Sequence, residues 1–214
     1  MDATALLIRR LLFPAWVWKN NSSRLSYLEG FERTQYLSPD ALAELQWLQF
    51  KRLLRHAFDH CLYYRKKLST VGLMPDDVKT REDITRIPTI SKQDIQESLD
   101  ELIADNMHDR PLIKDMTGGS TGSPMVFFYD DDRLDSRTAA TIRHNRWTGW
   151  EIGEKMALLW GAPRDVVAPI SLKARVRDWI LDRRIVLDAS AIDDARLRHF
   201  CHQLRQHRPR FVLA

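Results

Sequence analysis

Thr117-Gly-Gly-Ser-Thr-Gly-Ser-Pro124 is the stretch on which the reading of this chain turns. The whole sequence holds eight glycines, and Gly118, Gly119 and Gly122 fall within five residues of one another. Glycine reaches positive φ without a Cβ clash, so such a run lets successive backbone N–H groups turn toward one centre. Concave arrays of N–H groups bind anions, phosphate above all. Thr117, Ser120, Thr121 and Ser123 add short hydroxyls able to donate to phosphate oxygens. No Lys-Ser or Lys-Thr follows the last glycine, which excludes a Walker A loop. The glycine spacing also differs from the dinucleotide fingerprint, and no helix is expected directly behind it. Pro124 and the apolar, aromatic run Met125-Val-Phe-Phe-Tyr129 follow instead, a strand signal. A hydroxyl- and glycine-rich loop running into a strand reads as a phosphate clamp.

Composition is that of an ordinary globular chain, with 44% apolar and 29% charged residues over 214 positions. A net charge of +4 suits an anionic nucleotide or coenzyme and is too mild to argue for nucleic acid. Two cysteines, Cys61 and Cys201, are too few for a disulfide scaffold and suit a reducing cytoplasm, the expected location.

Residues 3–18 are apolar and aromatic with Arg9 and Arg10 among them. Leu6, Leu7, Leu11 and Leu12 share a helical face that Pro14 is expected to interrupt. Two arginines exclude a transmembrane span, which needs about 20 apolar residues. The segment is read as a helix packed on the body of the protein, with a weak peripheral membrane contact through Trp16 and Trp18 as the alternative. Ser38-Pro39 starts a helix that Leu42, Leu45, Leu48, Phe50, Leu53, Leu54, Ala57 and Phe58 carry to about His60. His56, His60 and Cys61 lie about a turn apart, but no fourth ligand stands at suitable spacing, and no metal site is assigned. Ser91 caps a further helix with Ile95, Leu99, Leu102 and Ile103 on one face.

From Leu112 onward short apolar runs alternate with helical stretches. Strands are expected at Met125–Tyr129, Met156–Trp160, Arg184–Leu187 and Arg210–Leu213, and helices at about Asp132–Thr148, Asp165–Asp182 and Asp193–His207. The fold class is therefore α/β, a helical N-terminal region followed by the first part of a largely parallel βαβ sheet. The division expected is 1–108, helical, and 109–214, an α/β nucleotide-binding subdomain that stops short at its C-terminal end. In such sheets ligands sit where loops converge at the carboxyl ends of strands, and the glycine loop is expected to be one of those loops. Arg143, His144, Arg146, Trp147 and Trp150 cluster next. Arg143, His144 and Trp147 are candidates to meet a carboxylate or phosphate and to wall an acid pocket. The basic stretch Arg164, Lys173, Arg175, Arg177, Arg183 and Arg184 around Trp179 is read as a solvated helix surface, so no nucleic-acid partner is assigned. In the last helix Leu197, Phe200, Cys201 and Leu204 are expected to form the buried stripe.

The glycine-rich segment resembles the phosphate-binding loop of the adenylate-forming superfamily, Ser/Thr-Ser-Gly-Ser/Thr-Thr-Gly-x-Pro, departing from it at Gly118 and Met125. Gln49-Phe-Lys-Arg-Leu-Leu-Arg-His-Ala-Phe-Asp-His-Cys-Leu-Tyr-Tyr-Arg65 and Arg81-Glu-Asp-Ile-Thr-Arg-Ile-Pro-Thr-Ile-Ser-Lys-Gln-Asp-Ile95 resemble the phenylacetate–coenzyme A ligase branch. Some relatives in that branch are found with capsule and other surface-polysaccharide genes. The resemblance runs from about Leu37 to Ala214. It implies the N-terminal domain of an enzyme that joins a small-molecule carboxylic acid to ATP as an acyl-adenylate, then passes the acyl group to a thiol such as coenzyme A. Thr117, Gly118, Gly119, Ser120, Thr121 and Gly122 would then bind the ATP phosphates, with Mg2+ assisting. The superfamily's later aromatic-Gly-x-Thr/Ser-Glu motif, ribose-binding Asp and catalytic Lys are absent here. The chain is therefore expected to be one half of a longer enzyme and inactive alone, a nucleotide-binding or membrane-peripheral module being the alternative.

Overall fold

The computed structural model describes residues 2–107, 111–117, 124–161, 180–190 and 192–214. The class is α/β, a helical N-terminal region followed by strands and helices in alternation. Packing divides the chain into two compact units, one of Met1–Phe31 with Asp135–Ala214 and the other of Glu32–Leu134. This is a different partition from 1–108 and 109–214, because the first helices pack against elements that follow residue 134. The division at 108 follows sequence texture and stays a proposal.

The first unit begins with α1 (Ala3–Leu7), whose N-terminus is capped by the Asp2 carboxylate accepting from the Thr4 and Ala5 N–H groups. A π-helical turn, Ile8–Leu12, follows directly and runs into α2 (Phe13–Lys19). Pro14 was expected to interrupt this helix, and it does not. A proline removes one N–H and crowds the carbonyl four residues back. The widened turn answers both, and the Phe13 N–H donates to Ile8 O, five residues earlier. The register change also settles which side is buried: Ala5, Ile8, Phe13 and Val17 face inward, while Leu7, Leu11 and Leu12 are exposed.

α3 (Arg24–Thr34) and α8 (Asp131–Trp147) complete this packing. Ile8, Phe13, Val17, Leu28, Ala139, Ile142 and Ile152 form one apolar core. Each large side chain so buried is worth about 1.5–3 kcal/mol relative to exposure. Gly153, with φ +88°, lies under the first helix; a Cβ there would stand 2.8 Å from Ala5 O and 2.9 Å from Ile8 Cβ. Beside this core lies a three-stranded parallel sheet in the order β4 (Arg184–Asp188), β3 (Met156–Trp160), β5 (Phe211–Leu213). α9 (Asp194–His207) covers it through Phe200 and Leu204 on Ala157, Leu187, Leu159 and Ile185. Cys201 and Leu197, expected in this stripe, are exposed. One residue beyond Phe200 turns the side chain about 100° around the helix, away from the sheet.

The second unit is built on α4 (Pro39–His60), with Ser38 Oγ accepting from the Ala41 N–H as its cap and Pro39 in the first turn. α5 (Leu62–Thr70) and the segment to Ile87 fold onto it around Leu54, Leu68, Leu73 and Val78, flanked by Trp47, Phe50 and Phe58. Leu42, Leu48 and Leu53, placed on the apolar face by spacing, are exposed. The helix begun at Ser91 is broken at Ser98 into α6 (Lys92–Glu97) and α7 (Leu99–Leu102). β1 (Ile113–Met116) and β2 (Val126–Tyr129) form a separate two-stranded antiparallel sheet. The glycine loop therefore joins two antiparallel strands rather than standing at the end of a parallel one.

Candidate functional site

β1 and β2 pair from Ile113 with Tyr129 to Met116 with Val126. Beyond the last ladder pair two further bonds close the neck of the loop. The Thr117 N–H donates to Met125 O at 2.9 Å, and the Met125 N–H donates to Thr117 Oγ1 at 2.9 Å. Thr117 thus uses its hydroxyl oxygen as an acceptor within the protein, a role that leaves the hydroxyl proton able to donate. Gln96 Nε2, from α6, donates to Pro124 O at 3.4 Å and braces the outgoing side. α6 itself is held by a capping box: Ser91 Oγ accepts from the Asp94 N–H, and Asp94 accepts from the Ser91 N–H. The Ser91 backbone N–H, first among its donors, holds the Asp94 carboxyl below the usual range. The candidate phosphate ligands Gly118, Gly119, Ser120, Thr121 and Gly122, and Ser123 beside them, lie outside the described residues. Neither Gln96 nor the double bond at the neck was foreseen; both join residues eight or more positions apart, beyond the reach of local spacing.

Arg143, His144 and Trp147 come together on the last turns of α8. The Arg143 guanidinium lies 4.9 Å from the Trp147 ring centre and 5.5 Å from that of Phe31, a stacked cation. Its Nε is buried with no protein acceptor among the described residues. His144 meets the edge of Trp147 with ring centres 5.7 Å apart. Arg146 differs in being held by Glu151 at 3.1 Å, a carboxylate that also lies 3.6 Å from Arg9. Trp150 packs on the first core. The cluster can therefore offer one stacked guanidinium, an exposed imidazole and an exposed indole to an anionic, apolar-bodied ligand.

Of the basic stretch, Arg164, Lys173, Arg175 and Arg177 lie outside the described residues, as does most of the helix expected at 165–182. Arg183 is paired with Asp2 at 2.6 Å, and Arg184 lies 3.7 Å from Asp182. Among the described residues no three His, Cys, Asp or Glu side chains converge as metal ligands would. His60 Nδ1 lies 2.8 Å from Asp105 Oδ1, and that hydrogen bond draws the Asp105 carboxyl down. Burial pushes the Cys61 thiol up, so it stays protonated at neutral pH. No helix among the described residues is long and apolar enough to cross a membrane.

No family model matches the chain. It is 29% identical over 125 residues to the phenylacetate-coenzyme A ligase of Escherichia coli (strain K12), covering 58% of this chain and 28% of that protein. The corresponding ligase of Aromatoleum evansii is 27% identical over 134 residues, 63% of this chain and 30% of that one. Protein CapK of Staphylococcus aureus is 25% identical over 171 residues, 78% of this chain and 36% of that one. An open conformation of 2-hydroxyisobutyryl-CoA ligase, in complex with 2-HIB-AMP and CoA, superposes with a TM-score of 0.53 at 19% identity, over 76% of this chain and 38% of that one. At that identity the likeness is one of fold. The α/β architecture and these matches point the same way, toward the fold of the adenylate-forming ligases. Over the part of them that it covers, the chain is similar to phenylacetate–coenzyme A ligases and to CapK. It spans about a third of the length of the curated relatives it matches.

Proposed function

We propose that this chain is the phosphate-holding part of an ATP-dependent, AMP-forming acid–thiol ligase located in the cytoplasm. The observation that carries the reading is the doubly bonded neck between Thr117 and Met125, which draws the two ends of the glycine-rich loop together. In the proposed reaction a carboxylate oxygen attacks the α-phosphorus of ATP, the bond to the β-phosphate oxygen breaks, and pyrophosphate leaves. A thiol, coenzyme A in the simplest case, then displaces AMP from the acyl carbon. Thr117, Gly118, Gly119, Ser120, Thr121 and Gly122 serve the first step by hydrogen bonding to the β- and γ-phosphates, where charge accumulates as pyrophosphate departs. Mg2+ would neutralise phosphate charge when bound, and no described residue of this chain is assigned to it. Arg143, His144 and Trp147 are proposed as contacts to the acid or to a phosphate. The 214 residues alone are proposed not to turn over.

Acid-dependent ATP–pyrophosphate exchange tests this on a chain extended through the lengths of its relatives. Gly119→Ala is expected to abolish exchange with the circular dichroism spectrum unchanged. Unimpaired exchange removes the loop from its role, and no exchange across a broad panel of aryl and acyl acids removes the ligase reading. Trp147→Ala is expected to raise KM for the acid with kcat little changed.

A second reading, a membrane-peripheral module of surface-polysaccharide assembly, is favoured by the outward face of the first helix. Leu7, Leu11 and Leu12 are exposed there, and Trp18 is 82% exposed beside Lys19. Deleting residues 3–18 would remove Ile8, Phe13 and Val17 from the core, so the test is Leu11→Glu with Trp18→Glu. Flotation with anionic liposomes that is lost in this variant supports the contact, and unchanged flotation refutes it.

A further inference from the structure

The unit Glu32–Leu134 holds a cavity lined by cations to which the ligase reading assigns no contact with phosphate or acid. On α4, Leu48, Lys51, Arg52 and Arg55 recur at intervals of three, one and three, which aligns them along one side of the helix. The 3-10 turn Pro75–Asp77 and the following Val78 and Lys79 face them across an open cavity of about 490 Å³. Leu48, Pro75 and Val78 supply apolar surface, and Lys51, Arg52, Arg55 and Lys79 supply four cations. Asp76 is the one carboxylate in the lining, and Arg55 is hydrogen-bonded to it. Lys51 rests over the Trp47 ring at 5.5 Å, which sets the base of its side chain but gives no counter-charge. No carboxylate is paired with Arg52 or with the Lys79 ammonium among the described residues.

Within the lining, four cations against one carboxylate leave a net charge of +3, with Asp59 acting on Arg55 from outside it. Like charges so gathered repel one another and gain from a multivalent anion between them. Guanidinium groups match phosphate oxygens in planar, two-point hydrogen bonds, and lysines add point charge. The cavity volume falls within the range of small-molecule sites, about 300–1,000 Å³, and its apolar patch can take an uncharged portion of a ligand.

We infer that this cavity binds a soluble organic phosphate carrying at least two negative charges, its phosphates on Arg52, Arg55 and Lys79 and its apolar portion on Leu48 and Val78. The site is independent of the glycine-rich loop in sequence, and the ligand acts there as an effector or as a second substrate group.

Pyrophosphate is the probe, titrated calorimetrically into the intact chain at low salt. The combined variant Arg52→Gln and Lys79→Gln removes two exposed cations with no core contact, so its fold is expected to be kept. Affinity is expected to fall at least tenfold in this variant and to stay unchanged in Arg33→Gln, an exposed cation outside the cavity. Pyrophosphate held by the glycine-rich loop is indifferent to these substitutions, so the two sites are told apart. Equal affinity in wild type and variant overturns the inference, as does an equal loss in Arg33→Gln. Vesicles of phosphatidylcholine with phosphatidic acid form the second arm. Binding to them without binding to pyrophosphate overturns the soluble ligand in favour of a lipid headgroup.

Discussion

Thr117 and Met125 bond to each other twice across the mouth of the glycine-rich loop, once through backbone alone and once through the threonine hydroxyl. The second bond makes residue 117 a positioning residue as well as a phosphate candidate. Thr117→Val keeps the shape and deletes the acceptor, leaving the part-buried Met125 N–H unpaired at a cost of about 1–3 kcal/mol. Exchange activity in the extended enzyme is expected to fall about ten- to a hundredfold, as misplaced binding groups do. Thr117→Ser should restore most of it. Equal activity in the valine and serine variants would show that the neck needs no hydroxyl.

Asp135 is a buried carboxylate on α8 that accepts from the Ser23 N–H at 2.8 Å and from Arg24 at 2.9 Å. Arg24 also lies over the Trp16 ring at 4.9 Å. Asp135→Ala leaves a mostly buried guanidinium without its counter-charge and is expected to destabilise the protein by about 3–5 kcal/mol. Urea unfolding followed by tryptophan fluorescence measures this. A loss below about 1 kcal/mol would mean that Arg24 finds water instead.

Gly153→Ala is expected to cost about 2–4 kcal/mol, from left-handed backbone strain and from overpacking against Ala5 and Ile8. Gly149, also at positive φ but with open space around its Cβ, separates the two causes. Gly149→Ala should cost only the strain, about 1 kcal/mol. Thermal melts of both variants provide the comparison, and equal melts would refute the packing contribution.

Acid should loosen the link between Asp2 and Arg183. The Arg183 hydrogen bond holds the Asp2 carboxyl below its ordinary 3.8. A carboxyl lowered in the folded state contributes stability above its unfolded value and loses it as pH falls through the folded one. The contribution is therefore complete at neutral pH and fades below about pH 4. The effect is small, since Asp2 is partly in water. Melts between pH 6 and pH 2 should show Asp2→Asn losing less stability than wild type over the acid range. Parallel curves would refute the link.

The parallel strands were legible to within a residue. Met156–Trp160 agrees at both ends, and Arg184 and Leu213 each mark a strand boundary as expected. Their runs are apolar on both faces, which spacing reads well. β1 escaped notice because Lys114 and Asp115 interrupt a run of four residues. The antiparallel partner of β2 was lost with it, and with the partner went the correct setting of the glycine loop. Pro14 misled for a different reason: local rules treat proline as a stop, while a single widened turn accommodates it. On α4 and α9, spacing gave helices of the right extent but a stripe wider than the one buried. The loop's proposed chemistry rests on its glycines and hydroxyls, of which residues 118–123 lie outside the described residues. What braces it, Met125 N–H and Gln96, depends on contacts that no window of sequence contains.

The helix that opens the chain finishes its packing on residues made much later. Arg9 reaches Ile152 O, 143 positions on, and Asp2 meets Arg183 after 181. At ribosomal speeds of about 5–20 residues per second, the interval between those partners is on the order of ten seconds. For most of it Ile8, Phe13 and Val17 lack Ala139, Ile142 and Ile152 of their core, while all of Glu32–Leu134 emerges. The nascent chain thus carries an amphipathic helix whose apolar side is fully covered only once α8 and Gly153 have been made.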